Sequence, residues 1–401
     1  MANAKATHQK TKQHNRDLVL KTIFEKQPIS RAEIARITQL TRATVSDMIN
    51  SLLNEGLVEE IGLGSSIGGK NPILLSLVAE SRYTIGINLA QDKFIGAVVN
   101  LLGEIKETIE IPVSDSNGEA ALQLVYQILD QLLAKNWKPV VGIGIGTPGL
   151  VNTRDGIVVN AVNLDWQDLP LAQLVNSRFH IPVYVVNDSQ ANAIGEFVYG
   201  GHDVPDGNLV VVTVRHGIGA GILINGQLFH GDGGSAGEIG HLMVQENGSL
   251  CRCGKKGCLE TVSSAKASVR RANEMLKDYP DSILAKSSSP ITLDSIVTAF
   301  RAHDPLAERA ARESAHYLGL SLSNLVGTLN IQKIVLTGEM SRFSDSWLAL
   351  IKESMMESGL TRMIQDTQLE IGKLDLRGYI LGASALMLLH DYSLLFNKSV
   401  E

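Results

Sequence analysis

The three cysteines of this 401-residue chain, Cys251, Cys253 and Cys258, lie within eight residues of one another. Three thiols cannot all pair as disulfides, and a bridge across Cys-x-Cys is strained. Zinc takes four soft or borderline ligands in a tetrahedron, so three thiolates need one more donor. His241, ten residues upstream, can supply it. The spacing predicts a structural zinc site; the alternative is buried free thiols beside an unrelated histidine.

Two carboxylates flank this stretch. Glu238 comes three residues before His241, and Glu260 comes two residues after Cys258. A metal-bound loop would bring both toward the imidazole, whose second ring nitrogen is free to hydrogen-bond. This combination suits a polyol, because a sugar hydroxyl bonded to a charged acceptor gains roughly 1.5–3 kcal/mol. The alternative is a pair of solvated surface acids.

The N-terminal segment differs from the rest in charge and pattern. Residues 1–54 carry nine Lys or Arg against four Asp or Glu, whereas the remainder carries 27 against 38. Ser30 to Glu33 matches a capping box, Thr41 can cap a third helix, and residues 45–53 form an apolar stripe. Two strands around a Gly/Ser loop follow in residues 57–77. This order is typical of a winged helix-turn-helix, and the basic charge favours a polyanionic partner.

The predicted DNA contacts lie on these helices and at the tip of the wing. Their side chains can hydrogen-bond phosphates or base edges. They are Arg31, Arg42, Thr44, Ser46, Asn50 and Lys70. We expect a homodimer, with a tetramer as the larger alternative, that binds an inverted-repeat operator. The competing interpretation of this segment is a helical module that binds protein.

From residue 83 onward, strands alternate with helices and glycines follow the strand ends, which indicates an α/β fold. Sites in such folds lie where strands end. Asn187 and Asp188 follow a predicted strand at 183–186, so both are site candidates. The alternative for Asp188 is that it caps the next helix.

Composition and hydropathy bear on the cellular location. The chain is 44% hydrophobic and 19% charged, as in ordinary globular proteins. No apolar run follows the basic start, and the apolar stretch Tyr379 to Leu389 is too short to cross a bilayer. With a site that needs reduced thiols, the expectation is a cytoplasmic protein without membrane insertion.

Several short motifs together resemble the ROK family of sugar kinases and sugar-responsive repressors. The motifs are Gly-Thr-Pro-Gly at 146–149, Asn-Leu-Asp-Trp at 163–166, Asn187 with Asp188, Gly-Ile-Gly-Ala-Gly at 217–221, and the stretch from Glu238 to Glu260. Kinases of the family begin at the actin-like ATPase domain. A chain that adds a DNA-binding head resembles the repressors, of the xylose-repressor type.

The resemblance implies a fold and a division into domains. The fold is α/β: an N-terminal winged helix-turn-helix and a two-lobed, actin-like ATPase (ribonuclease H-like) body. The expected head, with a mobile N-terminal arm, spans 1–78. The first lobe spans 79–190 and is completed by a C-terminal helix at about 378–401, and the second lobe, with the zinc site, spans 191–377.

The resemblance also implies ligands for a zinc ion and for a sugar or sugar phosphate effector. The zinc ligands are His241, Cys251, Cys253 and Cys258. The sugar ligands are Asn163, Asn187, Asp188, Glu238, His241 and Glu260. Asp188 matches the general base of the kinases; here it would accept a hydrogen bond from the sugar hydroxyl.

Two loops depart from the kinase pattern. Where the kinases resemble Asp-x-Gly-Gly-Thr-Lys, residues 88–93 read Asn-Leu-Ala-Gln-Asp-Lys, and where they have Gly-Thr-Gly, residues 215–217 read Arg-His-Gly. Phosphoryl transfer depends on positioning and charge neutralisation, so these changes predict sugar binding without phosphorylation. The alternatives are a kinase that kept its activity beside the DNA-binding head, and a regulator controlled by a partner protein.

Overall fold

The computed structural model describes residues 8–65, 71–114 and 116–390, with side chains described between residues 11 and 387 of those ranges. The N-terminal part has the predicted three helices and small antiparallel sheet. The helices are α1 (His8–Lys26), α2 (Arg31–Thr38) and α3 (Arg42–Asn54). The strands are β1 (Ile29–Ser30), β2 (Val58–Leu63) and β3 (Ile73–Leu77), in the order β1-β3-β2.

Hydroxyl side chains mark the beginnings of α2 and α3. Ser30 Oγ accepts from the N–H of Glu33, and Thr41 Oγ1 accepts from the N–H of Thr44. Among the described hydrogen bonds only the Ser30 half of the predicted capping box is present, and the Glu33 carboxylate lies 3.5 Å from Arg36 instead. Side-chain capping therefore sets these two starts, as the sequence predicts.

The core of the head is continuous with that of the body. Val45 and Ile49, from the apolar stripe of α3, are fully buried in a cluster with Ile23 of α1. The same cluster includes Val141 and Met387, which belong to the body. Movement of these body residues must therefore be accommodated by the packing of the head.

The body contains two five-stranded sheets with the same plan, a three-stranded meander followed by two parallel strands. In the first sheet the strands are β4 (Tyr83–Leu89), β5 (Lys93–Asn100), β6 (Ile105–Pro112), β7 (Val140–Thr147) and β11 (Val183–Asn187), in the order β11-β7-β4-β5-β6. In the second they are β12 (Leu209–Val214), β13 (Ile218–Ile224), β14 (Gln227–Leu228), β15 (Lys333–Thr337) and β16 (Gln368–Ile371), in the order β14-β13-β12-β15-β16. Sequence reasoning missed β6, β14, β16 and a small sheet of β8 (Leu150–Asn152), β9 (Ile157–Ala161) and β10 (Trp166–Leu169).

Helices cover both sheets. Those that follow strands of the first sheet or its insertion are α4 (Gly118–Ala134), α5 (Leu171–Phe179) and α6 (Asp188–Tyr199). Those within the second half are α7 (Glu260–Ser263), α8 (Ala265–Met275), α9 (Ile283–Lys286), α10 (Leu293–Arg301), α11 (Pro305–Leu329), α12 (Ser344–Ser358) and α13 (Thr361–Asp366). The chain then returns to the first sheet through α14 (Arg377–His390). Among the described residues, every helix is too short or too polar to span a bilayer.

Glycines allow α14 to pack tightly on its neighbours. A Cβ added at Gly382 would lie 1.6 Å from the carbonyl oxygen of Ala191 on α6. A Cβ at Gly144 on β7 would lie 1.8 Å from the carbonyl oxygen of Ala383. At these positions the backbones of α6, α14 and the first sheet therefore approach one another so closely that no side chain fits between them. The predicted domain boundaries themselves stay a prediction.

Replacing Gly382 with Ala is expected to lower the free energy of unfolding by about 1–3 kcal/mol, because backbone would have to move. The matched control is Gly327→Ala on the exposed surface of α11, where an added Cβ meets nothing within 4 Å. The control should gain about 0.5–1 kcal/mol from helix propensity. Chemical denaturation of both variants measures the difference, and equal effects would contradict the packing argument.

Candidate functional site

The predicted zinc ligands converge in the structure. The ligand atoms of His241, Cys251, Cys253 and Cys258 all lie within 4.8 Å of one another. Cys253 Sγ is 3.6 Å from Cys258 Sγ, and Cys251 Sγ is 3.6 Å from His241 Nδ1. Ligands of a tetrahedral zinc ion are separated by about 3.6–3.8 Å, given Zn–S near 2.3 Å and Zn–N near 2.0–2.1 Å. The donor set and its spacing therefore fit zinc.

Local backbone geometry brings these ligands together. His241 ends a short 3₁₀ turn (Ile239–His241), and an isolated bridge pairs Met243 with Cys258. Gly257 has φ +73°, and a Cβ there would lie 1.8 Å from the carbonyl oxygen of Gln245. The loop can close only because this position is glycine.

Both predicted carboxylates lie beside His241. Glu238 Oε2 is 3.8 Å from His241 Nε2, and Glu260 Oε1 is 3.8 Å from His241 Nδ1. Glu260 is 8% exposed, and its Oε1 is 2.9 Å from Cys251 Sγ. Nδ1 thus faces the sulfurs while Nε2 faces Glu238, so one imidazole joins the metal-ligand cluster to the carboxylates.

The charge of Asp188, the first residue of α6, affects the pKa of Glu238. Burial raises the pKa of Glu238 to about 7, and the charge of Asp188 adds to the rise. Burial also raises the pKa of Asp188, against the lowering effects of the Ser189 N–H and of Arg215 and Arg252. The raised pKa of Glu238 favours its protonated form, which reduces repulsion between the acids.

The two predicted asparagine ligands are placed differently. Asn187 Oδ1 accepts from the N–H of Ser189 at 2.8 Å, and Asn187 Nδ2 donates to the carbonyl of Gly149 at 2.9 Å. Asn187 therefore caps α6 and ties the loop after β7 to it. Asp188 Oδ1 also lies 2.7 Å from the Ser189 N–H, so its carboxylate contributes to the cap as well. Asn163 is exposed, in a 3₁₀ turn (Val162–Leu164) between β9 and β10.

Four residues that sequence reasoning did not select as site residues lie around these acids. Arg215 Nη2 is 3.7 Å from Glu339 Oε1, and its guanidinium lies over the ring of Tyr379 at 5.5 Å. Arg252 Nε is 3.5 Å from Glu260 Oε1. Two of them could have been selected from the sequence. Glu339 follows Gly338 at the end of β15, and Arg252 lies between two cysteines.

The two loops predicted to depart from the kinase pattern, at 88–93 and 215–217, each place a cation against a protein carboxylate. Lys93 Nζ lies 2.6 Å from Glu110 Oε2 on the neighbouring strand β6. A Cβ added at Gly338 would lie 2.8 Å from Arg215 Cγ, so the Arg215 side chain covers the ends of β12 and β15. Arg215, directly after β12, therefore already has a carboxylate partner, and so does Lys93 at the start of β5.

Five of the six predicted DNA-contacting residues lie within the described part of the head. Arg42 and Asn50 are exposed on α3, whereas Thr44 and Ser46 are half-buried. Thr44 Oγ1 lies 2.9 Å from Thr41 Oγ1, within the helix cap. Arg31 donates to Asn50 Oδ1 at 3.4 Å and pairs with Glu60 at 3.1 Å. Lys70, at the predicted wing tip, lies outside the described residues.

Comparison with known proteins adds independent information. The ROK family model matches residues 84–389, and a model described as winged helix-turn-helix DNA-binding matches residues 16–59. The xylose repressor of Caldicellulosiruptor bescii is 32% identical over 388 residues, which cover 95% of this chain and 97% of that protein. The glucokinase of Halalkalibacterium halodurans is 33% identical over 314 residues, covering 76% of this chain and 95% of that protein.

A solved structure extends the similarity to the whole fold. It is described as a ROK family transcriptional regulator, a homologue of the E. coli MLC protein. It superposes with a TM-score of 0.85 at 28% identity and covers 96% of this chain and 98% of that one. The similarity thus includes the head as well as the two-sheet body. With the ROK model matching most of its length, this protein belongs to the ROK family and carries an N-terminal winged helix-turn-helix.

Proposed function

We propose that this protein is a transcriptional repressor whose affinity for operator DNA changes when a sugar or sugar phosphate binds in its body. The observation that carries the proposal is the joining, in one chain, of a winged helix-turn-helix head and a carboxylate cluster beside His241. Similarity to a xylose repressor over nearly the whole length supports it. A DNA-binding domain does not require a sugar site, and a sugar site does not require a DNA-binding domain. Their presence in one chain therefore favours DNA binding that responds to sugar.

The proposed sugar site is formed by Asp188, Glu238, His241 and Glu260. We also propose Asn163, an exposed residue between β9 and β10, as a sugar ligand. Carboxylate oxygens accept hydrogen bonds from sugar hydroxyls, each contributing roughly 1.5–3 kcal/mol. Because the acids are buried or half-buried, few water molecules compete for these bonds. Asn187 acts here through its cap on α6, since both ends of its amide already bond to backbone.

In the proposed metal site, His241 and the three cysteines hold a structural zinc ion. Four protein ligands leave no open position for an activated water molecule, so the ion supplies rigidity and no chemistry. His241 would bind through Nδ1, which leaves Nε2 directed at Glu238. The ligand loop would in this way fix Glu238 and Glu260 relative to each other.

In the proposed DNA-binding mode, α3 enters the major groove and two heads of a homodimer contact an inverted repeat. Arg42 and Asn50 are available for base or phosphate contacts because both are exposed. To reach phosphate, Arg31 would have to break its ion pair with Glu60. A surface ion pair contributes little to stability, so this costs little free energy.

The alternative function is a sugar kinase with a DNA-binding head, favoured by the similarity to a glucokinase. Against it, Ala90 and Gln91 stand where the first phosphate loop of the kinase pattern has two glycines. Arg215 comes directly after β12, in the second loop that differs from the kinase pattern, and its guanidinium pairs with Glu339. We therefore propose that the chain binds sugar without transferring phosphate.

An Arg42→Ala variant should bind an operator duplex, selected with the purified protein, roughly 5–150-fold more weakly, as for loss of a base or phosphate contact of about 1–3 kcal/mol. Fluorescence anisotropy measures this. Arg362→Ala, which removes an exposed arginine of α13, is the control and should bind normally. Equal affinities for both variants, or operator binding that does not weaken with salt, would exclude the head as the DNA reader.

Zinc and sugar response should be lost together in a Cys253→Ser variant, because the loop that fixes Glu238 and Glu260 loses a ligand. In the wild type, a sugar from a panel of D-glucose, D-xylose and N-acetylglucosamine, with their 6- or 5-phosphates, should change operator affinity by about 5–150-fold. Metal analysis and anisotropy measure the two quantities. The exposed neighbour Lys255→Ala should keep both; a sugar response that survives loss of zinc would disprove the link.

The kinase alternative is tested with ATP, magnesium and the same sugars in a coupled assay. We expect turnover well below about 1 s⁻¹, the low end for ordinary enzymes. The reason is that residues 88–93 lack both glycines of the first phosphate loop and Arg215 replaces the first glycine of the second. Turnover above that value would establish the kinase and remove the argument drawn from these two loops.

A further inference from the structure

The chain passes between the two sheets at two places that lie side by side. It leaves α6 through residues 200–208 to enter β12, and it leaves β16 through residues 372–376 to enter α14. The backbone of the second passage is bound to a side chain of α6. Glu196 Oε2 accepts from the N–H of Lys373, and Glu196 Oε1 accepts from the N–H of Leu374, both at 3.1 Å.

A buried histidine connects the same carboxylate to the second sheet. His202 Nε2 is 2.7 Å from Glu196 Oε2, and His202 Nδ1 is 3.0 Å from Glu370 Oε2. The side chains of Glu196 and His202 have no exposed surface. Lys333 of β15 binds the other oxygen of Glu370. Glu196, His202 and Glu370 thus form one polar group, called here the clamp.

Glycines make room for the clamp on both passages. A Cβ added at Gly200 would lie 2.6 Å from Glu196 Oε2, and one at Gly372 would lie 2.6 Å from Glu196 Oε1. Lys373 Nζ also donates to the carbonyl of Gly201 at 2.9 Å, so the passages are bonded to each other directly. A buried carboxylate with this many donors is costly to displace, because each lost partner leaves a desolvated group unpaired.

One member of the clamp, Glu196, lies on the helix that carries the proposed sugar-binding acid. Asp188 begins α6 and Glu196 follows eight residues later, about 12 Å along the axis at 1.5 Å per residue. Between them, Asn192 donates to Thr213 and Thr337 of the second sheet, at 3.1 and 2.7 Å. A helix so short moves as a rigid rod, so a shift at Asp188 must be matched at Glu196.

The contacts of the clamp continue through α14 to the head. Leu374 and Lys373 lead directly into α14, whose Met387 belongs to the apolar cluster that forms the core of the head. The start of α14 is therefore held by the clamp, and its far end contacts the domain proposed to bind DNA.

We propose that the clamp is a positioning group that transmits sugar binding at Asp188 to the DNA-binding head, by fixing α6, the second sheet and the start of α14 in one arrangement. This inference rests on the proposed function. No member of the clamp needs to contact sugar or DNA. Its role is to make the two passages move together when the sheets change their relative orientation.

The test uses the full-length protein with His202→Gln, which keeps a polar side chain but has no second ring nitrogen to bridge Glu196 and Glu370. Calorimetry gives the sugar affinity, with the sugar of the panel that acts most strongly on the wild type. Anisotropy gives operator affinity with and without saturating sugar. The ratio of the two operator affinities should fall from about 5–150 to below about two, while sugar affinity and sugar-free operator affinity each change by less than about threefold.

A second variant and a control separate coupling from stability. Glu370→Gln, at a half-exposed position of the clamp, should also lower the ratio and is less demanding for folding than a change at His202. Arg312→Gln removes the exposed pair with Glu353 and should leave the ratio unchanged. Clamp variants that melt at lower temperature but keep the wild-type ratio would show a merely structural role and overturn the proposal. A ratio of one in the wild type would instead overturn the proposed function, and the clamp's role with it.

Discussion

Close backbone contact between α6 and α14 holds the two five-stranded sheets in one body. Gly382 lets α14 approach the carbonyl of Ala191, and Gly144 lets the same helix rest on β7. Any side chain at these positions would overlap a carbonyl oxygen, so the contact depends on the absence of Cβ atoms. Because α6 begins with Asp188, this packing also fixes where that carboxylate lies.

The candidate site gathers acids from separate parts of the chain. Asp188 comes from α6, Glu238 from the loop before a 3₁₀ turn, and Glu260 from the first residue of α7. Repulsion among these buried or half-buried carboxylates is offset by the guanidiniums of Arg215 and Arg252, and it contributes to the raised pKa of Glu238, about 7. Such a cluster persists only if the backbone holds it, and the loop of three cysteines is the element placed to do so.

Kinases and repressors of this family share the body, so the fold cannot separate them. The proposed difference lies in a few side chains near strand ends. Arg215 lies against Gly338 and pairs with Glu339, and Ala90 and Gln91 stand where the kinase pattern has two glycines. Phosphoryl transfer depends on positioning and charge neutralisation, which glycine-rich phosphate loops help to supply. The proposed loss of catalysis is therefore local, while the acids beside His241 remain together.

The sequence by itself determined the elements that depend on neighbouring residues. The apolar stripe of α3, its cap at Thr41 and the clustering of three cysteines are local patterns, and the structure bears each of them out. The family likewise follows from short motifs. Only the tertiary structure decided which side chains meet across long separations. Glu196 with Leu374, and Arg215 with Tyr379, are each more than 150 residues apart. Local periodicity contains no information about such pairs, because they arise from how whole helices and sheets pack.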